Sequence, residues 1–494
     1  MQRLKEALVY DRTAHPERTN ATLERVFEVL ENVLDAQAES HQQQLHRILD
    51  NRPLRNPLTS AEADKIIAYF DRTDFTRAQL NAITEQLELS EIATAEAIDL
   101  HRQFKIPVSR PEEDIIPVKG DGCWILDTRG KWYLDMDSNY SATNLGMANP
   151  EIARGLYNQA SQLISMKEDR IQIARTRFLK EIHDMMPEGL NQFYWQNSGG
   201  EAVDKSLKIA KAYTGTTKVV AFKHGFHGRT HGAVAVTWNP KYRTPFGLDQ
   251  QDWVTFAEFN NIDSVKQALD ESGAKIIILE MVQGEEAGNL PADPEFIQQL
   301  WQLAKEKDAL IIDDEVQAGF GRTAVKPGDW FACMSYDVVP DLMVIGKSFG
   351  GGYPVTAVVT KEKIGQAMQH GYDGSTFGGN PMAMTAALIA TRQMREKDIT
   401  RNVIDRSAQM VEGFKKLMEK HPAMGEIRAR GLMVAFSLGT AEHVAQVQQA
   451  LAQHGVKASL STGKYIRFLP PTVISAGEVD FFLAQLDRAL ATIS

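Results

Sequence analysis

Residues 309–318 read ALIIDDEVQA, and this apolar run leads directly into three acidic residues, Asp313, Asp314 and Glu315. Carboxylates at the end of a buried strand are costly unless a cation faces them. Successive side chains of a strand point to opposite faces, so Asp314 lies on one face and the other two acids lie on the opposite face. The stretch therefore predicts a buried strand whose end offers carboxylates to a cation, and either face can supply them.

Short apolar runs of the same kind recur along the chain and alternate with helical patterns. Helical periodicity at residues 201–213, 263–271 and 294–307 separates these runs. Such alternation predicts an α/β domain with a mostly parallel sheet, in which ligands bind beyond the carboxyl ends of the strands. The runs are NQFYWQNS (191–198), TKVVAFKH (217–224), AKIIILEMV (274–282), ALIIDDEV (309–316), DLMVIGKS (341–348) and VTAVVT (355–360).

The segments on either side of this domain have different patterns. Before Gly120 the chain contains no glycine, and apolar residues between Thr19 and Leu49 fall at helical spacing. Ser60 stands where the N-cap of a further helix is expected. We therefore predict a helical extension, the first part of a small domain, a large domain and the C-terminal part of the small α/β domain, at residues 1–105, 106–170, 171–395 and 396–494.

The composition argues against several classes of protein. The chain has 494 residues and a net charge of -10, which argues against a nucleic-acid partner or an anionic membrane surface. Its two cysteines form no CxxC pair, and HExxH and EF-hand motifs are absent, so no metal site is predicted. GKS at residues 346–348 ends like a phosphate-binding P-loop, but Asp341 stands where that motif requires its first glycine. NSG at residues 197–199 lacks the first glycine of the nucleophile motif of hydrolases. Without an apolar signal core or a membrane-spanning run, we expect a soluble cytoplasmic protein.

Polar clusters that follow the predicted strands suit the parts of one ligand. NSGGEA (197–202) places glycines at a helix start, where backbone N–H groups bind an anion such as a phosphate. KHGFHGRT (223–230) offers flat rings, Lys347 offers an amine that can form a Schiff base, and STFGGNP (375–381) offers a further anion contact. Each cluster alone is equally explained by a tight turn or a packed aromatic ring. Together they suit a planar, phosphorylated aldehyde with a basic ring nitrogen, which is pyridoxal 5'-phosphate (PLP).

Eight motifs in a fixed order resemble the class III, or ω-amino acid type, family of PLP-dependent aminotransferases. The resemblance extends from about Gly120 to the C-terminus. It implies the PLP-dependent transferase fold type I, an α/β fold with a seven-stranded, mostly parallel sheet in the large domain and a small α/β domain, here preceded by the helical extension. The motifs are GDGCWILDTRGKWYLDM, NSGGEAVDKSLKIAK, GFHGRT, EMVQGE, IIDDEVQAGFGRT, PDLMVIGKSFGGGYP, STFGGNP and IRARGLM.

The resemblance assigns cofactor contacts position by position. Lys347 would hold the PLP aldehyde as a Schiff base and move the proton of transamination, and Asp314 would face the protonated ring nitrogen. Thr376 would reach the phosphate bound by the neighbouring subunit, which implies a homodimer. The other implied contacts are Ser198, Gly199 and Gly200 at the phosphate, Phe226 and Val316 on the two ring faces, and Gln317 at the ring hydroxyl.

The resemblance also assigns residues to the substrates. Arg428 would bind the carboxylate of 2-oxoglutarate or glutamate, and Glu285 would pair with that arginine when an uncharged donor end occupies the same place. Arg229 would bind the α-carboxylate of the donor, and Tyr140 would line the pocket. His227 would pack behind the cofactor.

The implied reaction moves an amino group from a small-molecule donor to a 2-oxo acid, with 2-oxoglutarate as the expected acceptor. The donor would be a diamine or ω-amino acid of the ornithine, acetylornithine, 4-aminobutyrate or putrescine type. The chain departs from the family pattern where donor choice is set, so the donor stays open; the departures are Met147, Asn149, Met281, Glu286 and Ala429. The alternatives are a PLP-dependent aminomutase, racemase or decarboxylase of the same family, and a non-catalytic scaffold.

Overall fold

The computed structural model describes most of the chain and groups it into two compact units. One unit contains residues 1–119 and 125–133, and the other contains residues 120–124 and 134–494. The domain boundaries anticipated from the sequence remain predictions. The described residues are 23–24, 26–27, 47–48, 59–73, 75, 79–80, 83, 94–109, 115–459 and 463–493.

The described helices of the chain include two in the smaller unit, and the strands begin at residue 117. The helices are α1 (Ser60–Arg72), α2 (Thr94–Phe104), α3 (Pro150–Ala160), α4 (Ile173–Ile182), α5 (Gly199–Thr214), α6 (His231–Ala235), α7 (Ile262–Ser272), α8 (Pro294–Glu306), α9 (Glu362–Gly365), α10 (Pro381–Glu396), α11 (Ile399–Lys420), α12 (Ala441–Gln453) and α13 (Ala476–Leu490). The strands are β1 (Pro117–Asp121), β2 (Trp124–Asp127), β3 (Trp132–Met136), β4 (Gln192–Gln196), β5 (Val219–Phe222), β6 (Val254–Ala257), β7 (Ile276–Leu279), β8 (Val282–Gln283), β9 (Leu290–Pro291), β10 (Leu310–Asp314), β11 (Leu342–Ile345), β12 (Thr356–Thr360), β13 (Ile427–Arg430), β14 (Met433–Ser437), β15 (Val456–Ala458) and β16 (Tyr465–Phe468).

The start of α1 corrects the predicted N-cap by one residue. Thr59, not Ser60, is the N-cap: its backbone is extended and its side chain accepts a hydrogen bond from the backbone N–H of Glu62. The Glu62 carboxylate in turn accepts from the Thr59 backbone N–H at 2.7 Å, so the two residues form a capping box. Most of the helix predicted between Thr19 and Leu49 lies outside the described residues.

A seven-stranded sheet forms the centre of the larger unit, as the sequence predicted. Its strand order is β4-β12-β11-β10-β7-β5-β6. β10 runs parallel to β7 and β11, and β5 runs parallel to β6 and β7, whereas β12 is antiparallel to both of its neighbours. All six predicted strands are present, and β6 is the one that the sequence did not reveal. β6 is an edge strand of four residues with three half-buried side chains, so it lacks a continuous apolar run.

Side-chain alternation separates the core of the larger unit into a layer on each face of the sheet. In β10, Ile311 packs in one cluster of buried residues, and its neighbour Ile312 packs in another. Burying an isoleucine side chain in this way contributes on the order of 2 kcal/mol before conformational entropy is subtracted. Continuing the same alternation puts Asp313 on the Ile311 side and Asp314 on the Ile312 side. The surroundings of the acids agree with the predicted division, because Asp314 lines a cavity and Glu315 bonds to the Cys333 backbone.

A second core lies around the C-terminal residues. β13, β14 and β16 form an antiparallel sheet in which Ala435 of β14 is paired with Arg428 on one side and Arg467 on the other. Phe414, Phe436, Phe468 and Phe482 are fully buried beside this sheet. The pairing places the two arginines in one row across the sheet.

Asp313 and Glu315 are fully buried, and Glu315 lies against the backbone of Cys333. One Glu315 oxygen accepts a hydrogen bond from the Cys333 backbone N–H at 3.0 Å. Burial raises the pKa of Glu315 to about 7, and burial and the nearby Glu315 carboxyl raise the pKa of Asp313 well above its ordinary value. The folded chain therefore retains protons on this pair that the unfolded chain releases.

Substitution of Asp313 by asparagine should weaken the pH dependence of stability. In the native chain the free energy of unfolding falls as the pH rises from the ordinary Glu pKa of 4.5 to about 7, because the folded state must give up buried protons. Asp313→Asn removes one of these acids at nearly constant volume. We expect its Tm, measured by circular dichroism from about pH 5 to about pH 8, to fall less than that of the native protein. Parallel curves would contradict the proposed protonation of the pair.

Candidate active site

A cavity of about 530 Å³ opens in the larger unit at the carboxyl ends of β5, β10 and β11. Ten of the thirteen residues predicted from the sequence line it, and three do not. The ten are Ser198, Gly199, Gly200, Phe226, Arg229, Glu285, Asp314, Val316, Gln317 and Lys347. The three that lie elsewhere are Tyr140, Thr376 and Arg428.

Lys347 begins a short 3-10 turn directly after β11. Its φ of +50° places it in the left-handed region, which is uncommon for a residue with a side chain. Burial lowers the pKa of its ammonium group, and the carboxylates of Glu285, Asp314 and Glu280 oppose this shift. An amine whose pKa is lowered in this way is available as a nucleophile and as a proton acceptor.

Asp314 closes β10 and is held from behind by His227. The two side chains meet at 2.8 Å between Asp314 Oδ2 and His227 Nδ1, and the other Asp314 oxygen accepts from the Val316 backbone N–H at 3.2 Å. The His227 backbone N–H donates to the Thr237 hydroxyl at 2.9 Å. This arrangement agrees with the packing role expected for His227 and fixes the Asp314 carboxylate at the cavity wall.

A glycine-rich cradle forms where α5 begins. Ser198 is the N-cap, and its side chain accepts from the Glu201 backbone N–H at 3.3 Å. A Cβ on Gly200 would lie 3.0 Å from the Thr230 hydroxyl, and one on Gly228 would lie 2.7 Å from the Gly200 Cα. Gly228 also has a φ of +125°, so neither the space nor the backbone accepts a larger residue there. The cradle thus exposes backbone N–H groups to the cavity, as an anion site requires.

Thr230 is a cavity residue that the sequence interpretation did not assign. Its hydroxyl oxygen is buried and has no hydrogen-bond partner within the described chain, although it lines the cavity beside the cradle. Its place in the HGRT motif was the available signal. A buried hydroxyl of this kind suits a phosphate oxygen.

Glu280 is a second unassigned residue of the cavity. Its carboxylate accepts from the Phe226 backbone N–H at 2.8 Å, and burial raises its pKa to about 7 while His227 opposes the shift. Glu280 therefore orients the loop that carries the Phe226 ring. Its position directly after β7, within EMVQGE, was the sequence signal.

Tyr140 does not line the cavity, contrary to the sequence interpretation. It belongs to a turn, Ser138–Ser141, in which all four residues have positive φ. In this left-handed turn the Tyr140 carbonyl oxygen accepts a hydrogen bond from the Gln317 side-chain amide at 3.4 Å. The Ser141 hydroxyl donates to the Gln317 carbonyl at 3.0 Å, so the turn positions Gln317.

Glu285 is paired with Arg467 and not with Arg428, which corrects the predicted pair. Arg467 Nη2 lies 3.3 Å from Glu285 Oε2, and Arg467 is almost fully buried. Arg428 instead donates to both oxygens of Glu426, to the Tyr465 hydroxyl and to a carbonyl of the loop that carries Glu285. Glu285 lines the cavity, so its carboxylate lies between the cavity and the Arg467 guanidinium.

Arg229 lines the cavity as predicted. Its guanidinium carbon lies 4.0 Å from the centroid of the Tyr242 ring and 5.2 Å from that of Phe226. Thr376 lies in an exposed segment and is not among the residues that line this cavity.

The residues present fit PLP. The cradle at Gly199 and Gly200, with the unpartnered Thr230 hydroxyl, suits the phosphate, and Lys347 suits the aldehyde. Asp314 suits the ring nitrogen. The side-chain amide oxygen of Gln317 is buried and unpartnered within the described chain, as a contact to the ring hydroxyl requires.

Within the described residues, no helix is long and apolar enough to cross a membrane.

Comparison with known proteins gives concordant results. The [LysW]-aminoadipate semialdehyde transaminase of Deinococcus radiodurans is 35% identical over 386 residues, which cover 78% of this chain and 87% of that protein. The acetylornithine aminotransferase of Archaeoglobus fulgidus is 36% identical over 368 residues, which cover 74% and 93%. The ornithine aminotransferase structure from Toxoplasma gondii has the same fold, with a TM-score of 0.77, 23% identity and coverage of 85% of this chain and 99% of that one.

The family model for "Aminotransferase class-III" matches residues 107–490. This match covers the cavity, the central sheet and the C-terminal sheet. The chain therefore belongs to the class-III aminotransferases and is a PLP-dependent transaminase of fold type I.

Proposed function

We propose that this enzyme transfers the ω-amino group of an ornithine-type or N-acetylornithine-type amino acid to 2-oxoglutarate. The observation that carries the proposal is the presence, around Lys347, of two arginine sites with different partners. Arg229 lies on an aromatic ring, and Arg467 lies behind Glu285. The relatives are named as transaminases of acetylornithine and [LysW]-aminoadipate semialdehyde, and these names support the proposed donor class.

The two arginines divide the recognition of donor and acceptor. Arg229 binds the α-carboxylate of the donor and directs the ω-amino group toward Lys347. While the donor is bound, Glu285 stays paired with Arg467, so the donor meets no unpaired cation there. When 2-oxoglutarate binds, Glu285 moves aside and Arg467 takes the carboxylate next to the reacting carbon, which has no counterpart in the donor. One cavity thereby accepts both substrates in turn.

Lys347 and Asp314 perform the proton chemistry. When bound, PLP supplies an electron sink for negative charge at the reacting carbon. Lys347 removes the proton from the donor carbon that bears the amino group, and its lowered pKa makes the neutral amine accessible. Asp314, oriented by His227, would face the ring nitrogen of bound PLP and hold a proton on it. Mutase, racemase and decarboxylase activities give no role to a covered second arginine, so the Glu285–Arg467 pair favours transamination.

Asp314→Asn should retain the fold and lose most of the turnover. The amide keeps the size of the carboxylate, but its lack of charge removes the stabilisation of a protonated ring nitrogen. We expect kcat to fall by about 100-fold or more, in the range of a lost electrostatic contact, with a Tm close to that of the native enzyme. Asp313→Asn is the matched control, because that carboxyl faces the opposite side of the sheet, and it should keep most of the activity. Equal losses in both variants would contradict the assigned faces.

Substitutions at Glu285 and Arg467 should separate the two half-reactions. Arg467→Ala should raise the KM for 2-oxoglutarate by about 10- to 100-fold, because a charge-assisted pair is lost, and should affect the donor half-reaction less. Glu285→Gln should shift the balance toward the dicarboxylate. Rapid-mixing absorbance of the bound cofactor would measure the halves separately, with N-acetylornithine, ornithine, 4-aminobutyrate and putrescine as donors and 2-oxoglutarate or pyruvate as acceptor. Equal loss of both halves in both variants, or transfer to pyruvate alone, would contradict the proposed function.

We further propose that the active form is a cytoplasmic homodimer in which Thr376 contacts the phosphate bound by the partner subunit. Two segments with exposed apolar side chains support this proposal. Arg175 joins them by donating to the Glu168 carbonyl at 2.7 Å and to the Gly379 carbonyl at 3.1 Å. The apolar side chains are Ile164, Ile171, Ile173, Tyr372 and Phe377, which are 62%, 94%, 68%, 54% and 57% exposed. Such a patch beside Thr376 suits a second copy of the chain.

Ile171→Asp should weaken the dimer and its hold on PLP. The charge would have to be buried in the proposed interface, which is costly, and loss of the partner would remove Thr376 from each phosphate. Sedimentation velocity should show a shift toward monomer, and dialysis should remove more PLP than from the native enzyme. Phe246→Asp, at a side chain that is 66% exposed elsewhere, is the control and should change neither. A native monomer with full activity would contradict the proposal.

A further inference from the structure

Arg229 lies against two aromatic rings at the cavity, and Tyr242 is the nearer of the two. Its guanidinium carbon lies 4.0 Å from the Tyr242 ring centroid, and none of the carboxylates in the described part of the chain forms an ion pair with it. A cation over a ring face is attracted by the ring quadrupole and keeps its full charge. The planar N–H edge of the guanidinium therefore remains available for a bidentate contact with a carboxylate.

Tyr242 itself is fixed by Glu286. The Tyr242 hydroxyl donates to Glu286 Oε1 at 2.8 Å, and the Asn239 amide donates to Glu286 Oε2 at 2.8 Å. The Glu286 side chain is only 7% exposed, and Lys241 Nζ lies 3.6 Å from it. Burial raises the pKa of Tyr242, so its hydroxyl keeps the proton that it donates.

Asn239 also shapes the turn that carries Tyr242, and we call Tyr242, Glu286 and Asn239 together the clamp. Its side-chain oxygen accepts from the Lys241 backbone N–H at 3.1 Å, which caps the 3-10 turn Pro240–Tyr242. One asparagine thus binds both the turn and Glu286. The ring under Arg229 is fixed at its hydroxyl end and at its backbone.

We propose that Tyr242, tethered by Glu286 and Asn239, is a positioning residue that sets the preference for donors with an α-carboxylate by orienting Arg229. This inference rests on the proposed function, because it assigns the donor carboxylate to Arg229. The Tyr242 hydroxyl is bonded to Glu286 and is therefore not offered to the substrate. Tyr242 acts on the substrate only through Arg229. Donors without an α-carboxylate, such as putrescine, gain nothing from this clamp.

The first test is equilibrium binding of a ligand that cannot react. N-acetylnorvaline has the blocked α-amino group and free carboxylate of N-acetylornithine but lacks the ω-amine, and its carboxamide is the uncharged control. Calorimetric titration of the holoenzyme should show weaker binding of N-acetylnorvaline to Tyr242→Leu by roughly 2- to 30-fold, the range of a cation–π contact. Tyr242→Phe, which keeps the ring and loses the tether, should show a smaller loss. Binding of the carboxamide should not change.

The second test is a double-mutant cycle with steady-state kinetics. Tyr242→Leu should raise the KM for N-acetylornithine with little change in kcat, and it should add nothing in an Arg229→Ala background. Tyr213→Phe, at a half-buried tyrosine elsewhere, controls for general effects, and Tm values identify variants that fail to fold. If Tyr242→Leu fails to fold, the KM for N-acetylornithine is compared in the same two backgrounds with Tyr242→Phe and Glu286→Ala.

The possible failures are distinguishable. If the native enzyme neither binds N-acetylnorvaline nor uses N-acetylornithine, the proposed donor class is wrong and the inference falls with it. If the native enzyme does both, but the Tyr242 and Glu286 variants keep native affinity, the inference alone is overturned. Additive losses from Tyr242→Leu and Arg229→Ala would also overturn it, because a residue that acts through Arg229 cannot contribute without Arg229.

Discussion

The adjacency of β10 and β11 in the sheet is the constraint on which the site depends. Asp314 is in register with Val344, and the Glu315 backbone N–H donates to the Val344 carbonyl at 2.9 Å, so the two parallel strands end at the same edge. Lys347 follows three residues later. The backbone pairing of the two strands thereby brings the acid and the amine to one cavity. Their desolvation is tolerable because each lies among opposite charges or hydrogen-bond donors.

The sequence was sufficient for the features that follow from local pattern. Buried strands have continuous apolar runs, and this revealed six strands of the central sheet, whereas the half-exposed β6 gave no such signal. Strand alternation separated Asp314 from Asp313 and Glu315 without any knowledge of the ligand. The anion site at the glycines of a helix start and the amine of a lysine after a strand were likewise predicted from the adjoining residues alone.

Features that depend on long-range pairing could not be derived in the same way. Arg428 and Arg467 lie in one row of the C-terminal sheet, with Ala435 between them, so both are arginines on the same face. Only the position of the loop near Glu285 decides which one meets the carboxylate, and that position is set by residues far away in the sequence. The left-handed turn at Ser138–Ser141 is a similar case, because four consecutive positive φ values at non-glycine residues contradict local propensity.

The loop that follows β8 controls both arginines through consecutive acids. Glu285 neutralises Arg467 directly, so that arginine becomes available only when the pair is broken, and a ligand must compensate for the lost contact. Glu286 instead fixes the Tyr242 ring beside which Arg229 lies, so no ion pair has to be broken before Arg229 can bind a carboxylate. An uncovered arginine suits a carboxylate that every donor carries, and a covered one suits a carboxylate that only the acceptor carries. On the proposed function, the difference between an ion pair and a cation–π contact is what would let one cavity distinguish its two substrates.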